Sequence, residues 1–428
     1  MQHSALKLSC LLMLAPLAAA QTFGPGFTGS YAIRDLGAPA NVPVPFGGVT
    51  FLAGDSNTLL LAGSADSFGG AIYRVPVQRD ASGHIASFGG STSLHSTAPY
   101  IDGGLSYGPG GVLCYVSYPV NTFGQIRPGS VTPDKIVDLA SIGIATSPGG
   151  LVFVPSGFAG AGRMKIISWG SAQWFDVDLL PDANGTFDLA PATLVAQTAG
   201  GGPEGAVYIP AGNPGFNVDS VLVPEFSAGR VSAYAIDANG NPLAATQRDF
   251  ITGLSGAEGA LVDPLTGDFV FSTFGGVNRV LVVTGFNVPT VYCQAKPSSN
   301  GCTPAIGFSG TPSLGGLDDF VVLGNNVTNQ RNAIMLWGLS AASAPFAGGT
   351  LCISAPLRRG PIESSGGNPS PALDCSGSLS FAISHAFMGA HGLSAGTAVY
   401  SQILVRDPAF ADPNTLALSQ GLRFTIEN

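Results

Sequence analysis

The sequence predicts an all-β protein in two parts, a β-propeller followed by a β-sandwich. Three observations carry the prediction: a composition dense in turn formers, a module that recurs about every 52 residues, and a change of pattern near Val291. Only 10% of the 428 residues are charged, whereas Gly contributes 60 and Pro 32. That balance suits many short strands joined by tight turns rather than helices.

Residues 1–20 read as a signal peptide. Lys7 precedes the apolar run Leu8 to Leu17, and Ala18, Ala19 and Ala20 supply the small-residue pattern that signal peptidase accepts. The mature chain then begins at Gln21, and no later run reaches the roughly 18 apolar residues needed to span a bilayer. An exported protein without a transmembrane segment is expected, whether secreted, periplasmic or at the cell surface. Its formal net charge of −9 becomes −10 once Lys7 is removed. Nucleic acid and anionic membrane are poor partners for such a chain, because nothing would neutralise their phosphates.

The module is a phenylalanine, a small-residue turn and an arginine. It recurs at Phe68 and Arg74, Phe123 and Arg127, Phe158 and Arg163, Phe226 and Arg230, and Phe274 and Arg279. Hairpin turns mark the same period, "DASG" at Asp80 and "DANG" at Asp182 and Asp237, where Asx and Gly supply the positive φ that such turns require. Three or four short strands per module, repeated radially, read as a β-propeller over residues 21–290. The period favours five blades; six is the alternative, should the long third module hide another. The segment "YAIRDLG", Tyr31 to Gly37, resembles the outer strands "KIVDLA" and "TQRDFITG" and is expected to complete the last blade.

From residue 291 to 428 the marker disappears. Six or seven alternating stretches, among them "NAIMLWGLS" and "GTAVYSQILVRDP", suggest a β-sandwich. Four cysteines of this last third, Cys293, Cys302, Cys352 and Cys375, suit two disulfides in an oxidising compartment. Cys293 with Cys302 and Cys352 with Cys375 is the preferred pairing of three. Cys114, within "GVLCYV", reads as a buried small hydrophobe.

Resemblance adds to this reading. "GAEGALVDPLTGDFVFSTFGGVNRVLVV" is similar to a segment of uncharacterised exported bacterial propeller proteins, several of which carry a C-terminal sorting anchor. "YCQAKPSSNGCTPAIGFSGTPS", with "GGTLCI", "PLRR" and "DCSGSLSF", resembles a cysteine-bearing C-terminal module of secreted planctomycete-type proteins. Neither resemblance implies an activity. More distantly, "GPEG" is similar to the glutamate-bearing motif of gluconolactonase and regucalcin-like propellers, which implies a divalent-metal role for Glu204.

"GPEGAVY" and "GAEGALV" place Glu204 and Glu258 at corresponding sites 54 residues apart (258 minus 204). Inner strands of a propeller line one axis, so the two carboxylates are expected to converge and to share a hard cation such as Ca²⁺. The plainer alternative is a solvated pair accepting backbone hydrogen bonds. No third acid holds the corresponding position, which falls on Gly47, Gly103 and a small residue near Ala145, with Asp102 one residue away.

Other constellations fail on spacing. Asp176, Asp178, Asp182, Asn184 and Asp188 are not spaced as an EF-hand, and hairpin chemistry accounts for the "DANG" turns. "GLSAG" around Ser394 lacks both an α/β setting and a following histidine. His385 and His391 are six apart, unsuited to a ligand pair, and Trp169 and Trp174 read as core. The repeated arginines are expected to pair locally with acids or carbonyls. The sequence thus supports first an exported binding or cell-surface interaction protein of unknown ligand. The alternative is a divalent-metal-dependent lactonase or esterase-like hydrolase built on the channel carboxylates; whether the protein is an enzyme stays open.

Overall fold

The computed structural model describes residues 21–80, 83–144, 147–286, 289–315, 318–411 and 413–426. The expected signal peptide and Ala145 lie outside the described residues. The described chain is all-β with antiparallel sheets, and none of its helices is long and apolar enough to cross a membrane.

Five sheets form in chain order. The first contains Phe46–Leu52, Asp55–Gly63, Ala71–Arg79 and Ser93–Thr97, with Ile85–Phe88 also paired to its third strand. The second contains Ile101–Tyr107, Leu113–Ser117, Thr122–Ile126 and Lys135–Asp138. Pro148–Phe153, Met164–Ser168, Gln173–Val177 and Thr193–Gln197 make the third; a small hairpin, Leu179–Pro181 with Phe187–Leu189, interrupts it. That hairpin lies within the long third module. The fourth contains Val207–Ile209, Ser220–Glu225, Arg230–Ala235 and Arg248–Thr252, with Thr22–Phe23 added at its outer edge.

The fifth sheet is discontinuous in sequence. Ala257–Val262, Phe269–Thr273 and Val280–Thr284 are followed at the outer edge by Ala32–Gly37, from the start of the chain. An aromatic cluster ties that N-terminal segment down. Tyr31 lies edge-on to Phe250 at 5.1 Å and against Phe286 at 4.7 Å, Phe27 meets Phe216 at 5.0 Å, and the Tyr31 hydroxyl donates to Pro214 O. Such tilted and edge-on pairs add to the area they bury.

Each sheet turns its first strand inward. First packs on second, second on third, fourth on fifth and fifth on first, while Gly149 and Gly150 of the third lie against Pro203 and Glu204 ahead of the fourth. Second strands such as Leu113–Ser117 and Phe269–Thr273 are buried throughout, hence their unbroken apolar sequences.

The C-terminal region holds two larger antiparallel sheets and a two-stranded hairpin, Ala341–Phe346 with Gly349–Ile353, which carries Cys352. Thr290–Tyr292, Leu416–Thr425, Ala398–Arg406, Asn332–Gly338 and Arg358–Ser364 form one; Ala305–Ser309, Val321–Val327 and Gly377–Ala382 form the other. One core joins them, with Val322 and Phe381 meeting Trp337, Ile403 and Phe424. The disulfides depart from the expected local pairing: Cys293 bonds Cys352 and Cys302 bonds Cys375. Tyr292 pairs with Gly421, and the Tyr292 hydroxyl donates to Cys352 O, so the strand itself carries Cys293 past Cys302 to the hairpin holding Cys352. Sequence proximity was overruled by strand pairing. Cys114 is buried and unbridged, and burial pushes its thiol up to about 12.

Candidate functional site

Glu204 and Glu258 do converge, and Asp102 joins them. Asp102 and Glu258 come from the inner strands of the second and fifth sheets and Glu204 from just ahead of the fourth; all three are buried, and they place ligand oxygens within 4.8 Å of one another. Asp102 was read as one residue out of place because a regular strand alternates its faces. The pairing of Ile101–Tyr107 with its neighbour shifts register between Ile101 and Leu105, so alternation fails there and Asp102 turns to the axis. The fifth inner strand shifts likewise between Ala257 and Ala260, around Glu258.

Glycines make the room. A Cβ on Gly103 would lie 2.8 Å from Glu258 Oε2 and would strike the Glu204 backbone. Gly149, not a residue near Ala145, faces Glu204 from the third sheet, and a Cβ there would collide with Glu204 Oε2. Side chains at these positions would fill the space the acids share.

A fourth acid reaches the cluster from the loop after Asp55–Gly63. Asp66 sits at φ 58°, donates its N–H to Ile101 O at 3.0 Å and shares a hydrogen bond with Asp102. Burial raises its carboxyl to about 7. Burial first, then the charges of their acidic neighbours, pushes Asp102, Glu204 and Glu258 well above the usual carboxylate range. Among the described residues no lysine, arginine or histidine forms an ion pair with any of the four. Oε2 of Glu204, Oε2 of Glu258 and Oδ1 of Asp66 are buried without a hydrogen-bond partner. Carboxylates so placed need protons or a cation, since like charges a few ångströms apart in low dielectric cannot all stay ionised alone.

The rim of this end is aromatic. After the second strand of each sheet one residue donates its N–H ahead of the inner strand: Ser64 to Pro43, Tyr118 to Tyr100, Trp169 to Ser147, Phe226 to Gly202 and Phe274 to Gly256. These five are the structurally equivalent positions, and four are aromatic. The repeated phenylalanine marker therefore misses the equivalent place in three modules, in the first of which Phe68 follows Ser64 along the chain. Phe123 is buried within a third strand and Phe158 lies on the loop after an inner strand, whereas Tyr118 and Trp169 take the equivalent places. Trp169 is half-buried and lies 6.1 Å from Tyr118; only Trp174 belongs to the core. Matching the end of each second strand, rather than the residue type, would have found the rim.

The "DANG" turns carry built-in cations. Asp237 Oδ1 accepts from the N–H groups of Asn239 and Asn241, as hairpin chemistry requires, and buried Lys165 Nζ donates to Asp176, Asn239 O and Asn241 Oδ1. Lys135 similarly serves Asp182 and Asp188. Of the repeated arginines, Arg127 pairs with Asp134, Arg163 with Asp176, Arg230 with Glu225 and Arg279 with Asp35, while Arg74 donates to His95. His391 packs on Trp337, and the Ser394 hydroxyl shares a hydrogen bond with that of Thr397.

No family model matches the chain, and no curated protein matches it. Solved structures resemble it distantly. A streptogramin B lyase is 10% identical, with 59% of this chain and 97% of that one covered at a TM-score of 0.32. An auxiliary nutrient binding protein from Bacteroides ovatus ATCC 8483 is 13% identical, with 60% and 76% covered at 0.34. The chain also spans 60% of a protein from Bacteroides thetaiotaomicron VPI-5482, matching over 56% of its own length at 14% identity and a TM-score of 0.34. Likeness at this level carries nothing about ligand or activity.

Proposed function

We propose that the chain is an exported binding protein, a five-bladed β-propeller with an appended β-sandwich, whose axis holds a divalent cation such as Ca²⁺. One observation supports the cation above all: Asp102, Glu204 and Glu258 are buried together, with Asp66 at their edge and no basic partner, and leave oxygens unsatisfied. Oxygen donors of this kind suit Ca²⁺, which takes six to eight of them and accepts irregular geometry. The disulfides fit an oxidising compartment, in keeping with export. The binding surface at this end is the aromatic rim of Tyr118, Trp169, Phe226 and Phe274.

A metal-dependent lactonase or esterase-like hydrolase is the second reading, and Asp66 is the observation favouring it. Half-buried at the edge of the cluster and hydrogen-bonded to Asp102, its carboxyl would be placed to move a proton while the cation polarised a carbonyl.

Calcium titration by calorimetry of the mature chain tests the cation, beside Glu204→Gln, Glu258→Gln and Asp102→Asn. Saturable binding by the parent, lost in all three variants, is expected. A parent that binds no divalent cation would reduce the acids to a feature of the inner strands. Turnover of a lactone or ester panel, abolished by Asp66→Asn, would move the conclusion to the hydrolase.

A further inference from the structure

The axis has a second end, and it is apolar. A cleft of about 820 Å³ opens where the inner strands leave the ring, and every sheet contributes to it through Thr50, Leu105, Leu151, Tyr208 and Ala260. Its far wall belongs to the C-terminal sheets, with Val291, Ala305, Gly307 and Gln420. Asp102 and Glu258 precede Leu105 and Ala260 on their inner strands, and Glu204 precedes Tyr208, so the cleft lies beyond the acidic cluster along the chain direction of the inner strands.

The cleft is mainly apolar and carries little charge. Among the described residues Asp219 is the one charged side chain of its lining, and it already accepts from the Ala211 N–H at 2.9 Å. The Tyr208 hydroxyl is likewise engaged, donating to Gly240 O at 2.7 Å. Most of the lining is aliphatic and aromatic, with Thr50, Ser106, Ser156, Asn213, Thr290 and Gln420 as the uncharged polar points. The volume arises from small residues on one face of Ala305–Ser309. Ile306 and Phe308 turn into the C-terminal core, so alternation turns Ala305 and Gly307 the other way. A Cβ at Gly307 would meet nothing within 4 Å.

We propose that this cleft is a second binding site, distinct from the acidic end, for an uncharged and largely apolar small molecule. Its size falls in the range of about 300–1,000 Å³ common to small-molecule sites, which favour junctions between folded units. A charged ligand is disfavoured because no lysine or arginine would pair with an anion and the single acid is occupied. The wall from two parts of the chain encloses a ligand that either part alone would leave exposed.

The test is a fluorescence titration of the mature protein with Nile red, an uncharged apolar dye, with and without EDTA. Saturable one-to-one enhancement indifferent to EDTA is expected. Gly307→Trp fills the cleft from its open side and should weaken binding about tenfold or more, which is about 1.4 kcal/mol or more. Ser156→Trp, on an exposed loop at the margin, should act the same way without disturbing the sheet, and Phe68→Ala, exposed at the acidic end, should change nothing. Far-UV circular dichroism melts confirm that each variant folds. A parent that shows no saturable enhancement, or binding that survives both tryptophans in folded protein, would overturn the proposal. Loss of calcium binding leaves this site untouched, so the two readings fail separately.

Discussion

Glu204, just ahead of the fourth sheet's inner strand, and Glu258, within the fifth sheet's, occupy corresponding positions, and each turns Oε2 into buried space where no donor meets it. A buried acceptor left unsatisfied costs about 1–3 kcal/mol, more when charged, so the pair weakens the fold it belongs to unless something supplies the missing partner. Stability and cation binding are therefore linked through these two side chains.

In EDTA at pH 8, Glu258→Gln should stabilise the protein by on the order of 1 kcal/mol, because it removes one of several repelling charges. With calcium at about a hundred times its dissociation constant the parent should gain about 2.7 kcal/mol and the variant should not. Differential scanning calorimetry of both proteins in both buffers reads the reversal. A variant less stable than the parent in EDTA would show that the carboxylate is needed as an acceptor rather than as a ligand.

Asp66 and its neighbours also set a pH dependence. Their raised values mean that the folded state binds protons more readily than the unfolded chain, so in EDTA stability should rise as pH falls from 8 through about 7. Saturating calcium should flatten that rise. Melting temperatures between pH 6 and 8 give the slope directly.

His84 works in the opposite region of the molecule, at the meeting of the first and fifth sheets. Its Nδ1 lies 2.6 Å from Asp268, whose hydrogen bond raises the imidazole above its ordinary value. The stabilisation is complete below about pH 6.5 and is lost as pH rises through the raised value. His84→Asn should remove this loss, seen as a smaller fall in melting temperature from pH 6 to 9.

Lys165 is fully buried, and its ammonium group takes the position among Asp176, Asn239 and Asn241 that an ion would otherwise hold. Lys165→Met should destabilise by about 3–5 kcal/mol, the scale for leaving a buried partner uncompensated, as read by urea unfolding. A change below 1 kcal/mol would mean that Arg163 alone satisfies Asp176.

Non-reducing peptide mapping should link Cys293 to Cys352 and Cys302 to Cys375. Replacing Cys302 and Cys375 together with serine should cost about 2–5 kcal/mol. Recovery of a Cys293–Cys302 peptide would contradict the pairing.

Much was legible in one dimension. Turn chemistry at Asp182 and Asp237, the apolar second strands, the outer-strand character of Tyr31 to Gly37 and the correspondence of Glu204 with Glu258 are all local or periodic, because each strand needs its own pattern of side chains to be buried. What folding alone decided depends on register and on approach between distant segments. A bulge brought Asp102 to the axis, a loop at positive φ brought Asp66 beside it, strand pairing separated Cys293 from Cys302, and the end of each second strand selected Tyr118 and Trp169 over Phe123 and Phe158. The sequence by itself determined that two acids share an axis. Only the tertiary structure brought Asp102 to them, with Asp66 at its side, because one residue of register reverses the face a strand presents, and no periodicity records where that reversal falls.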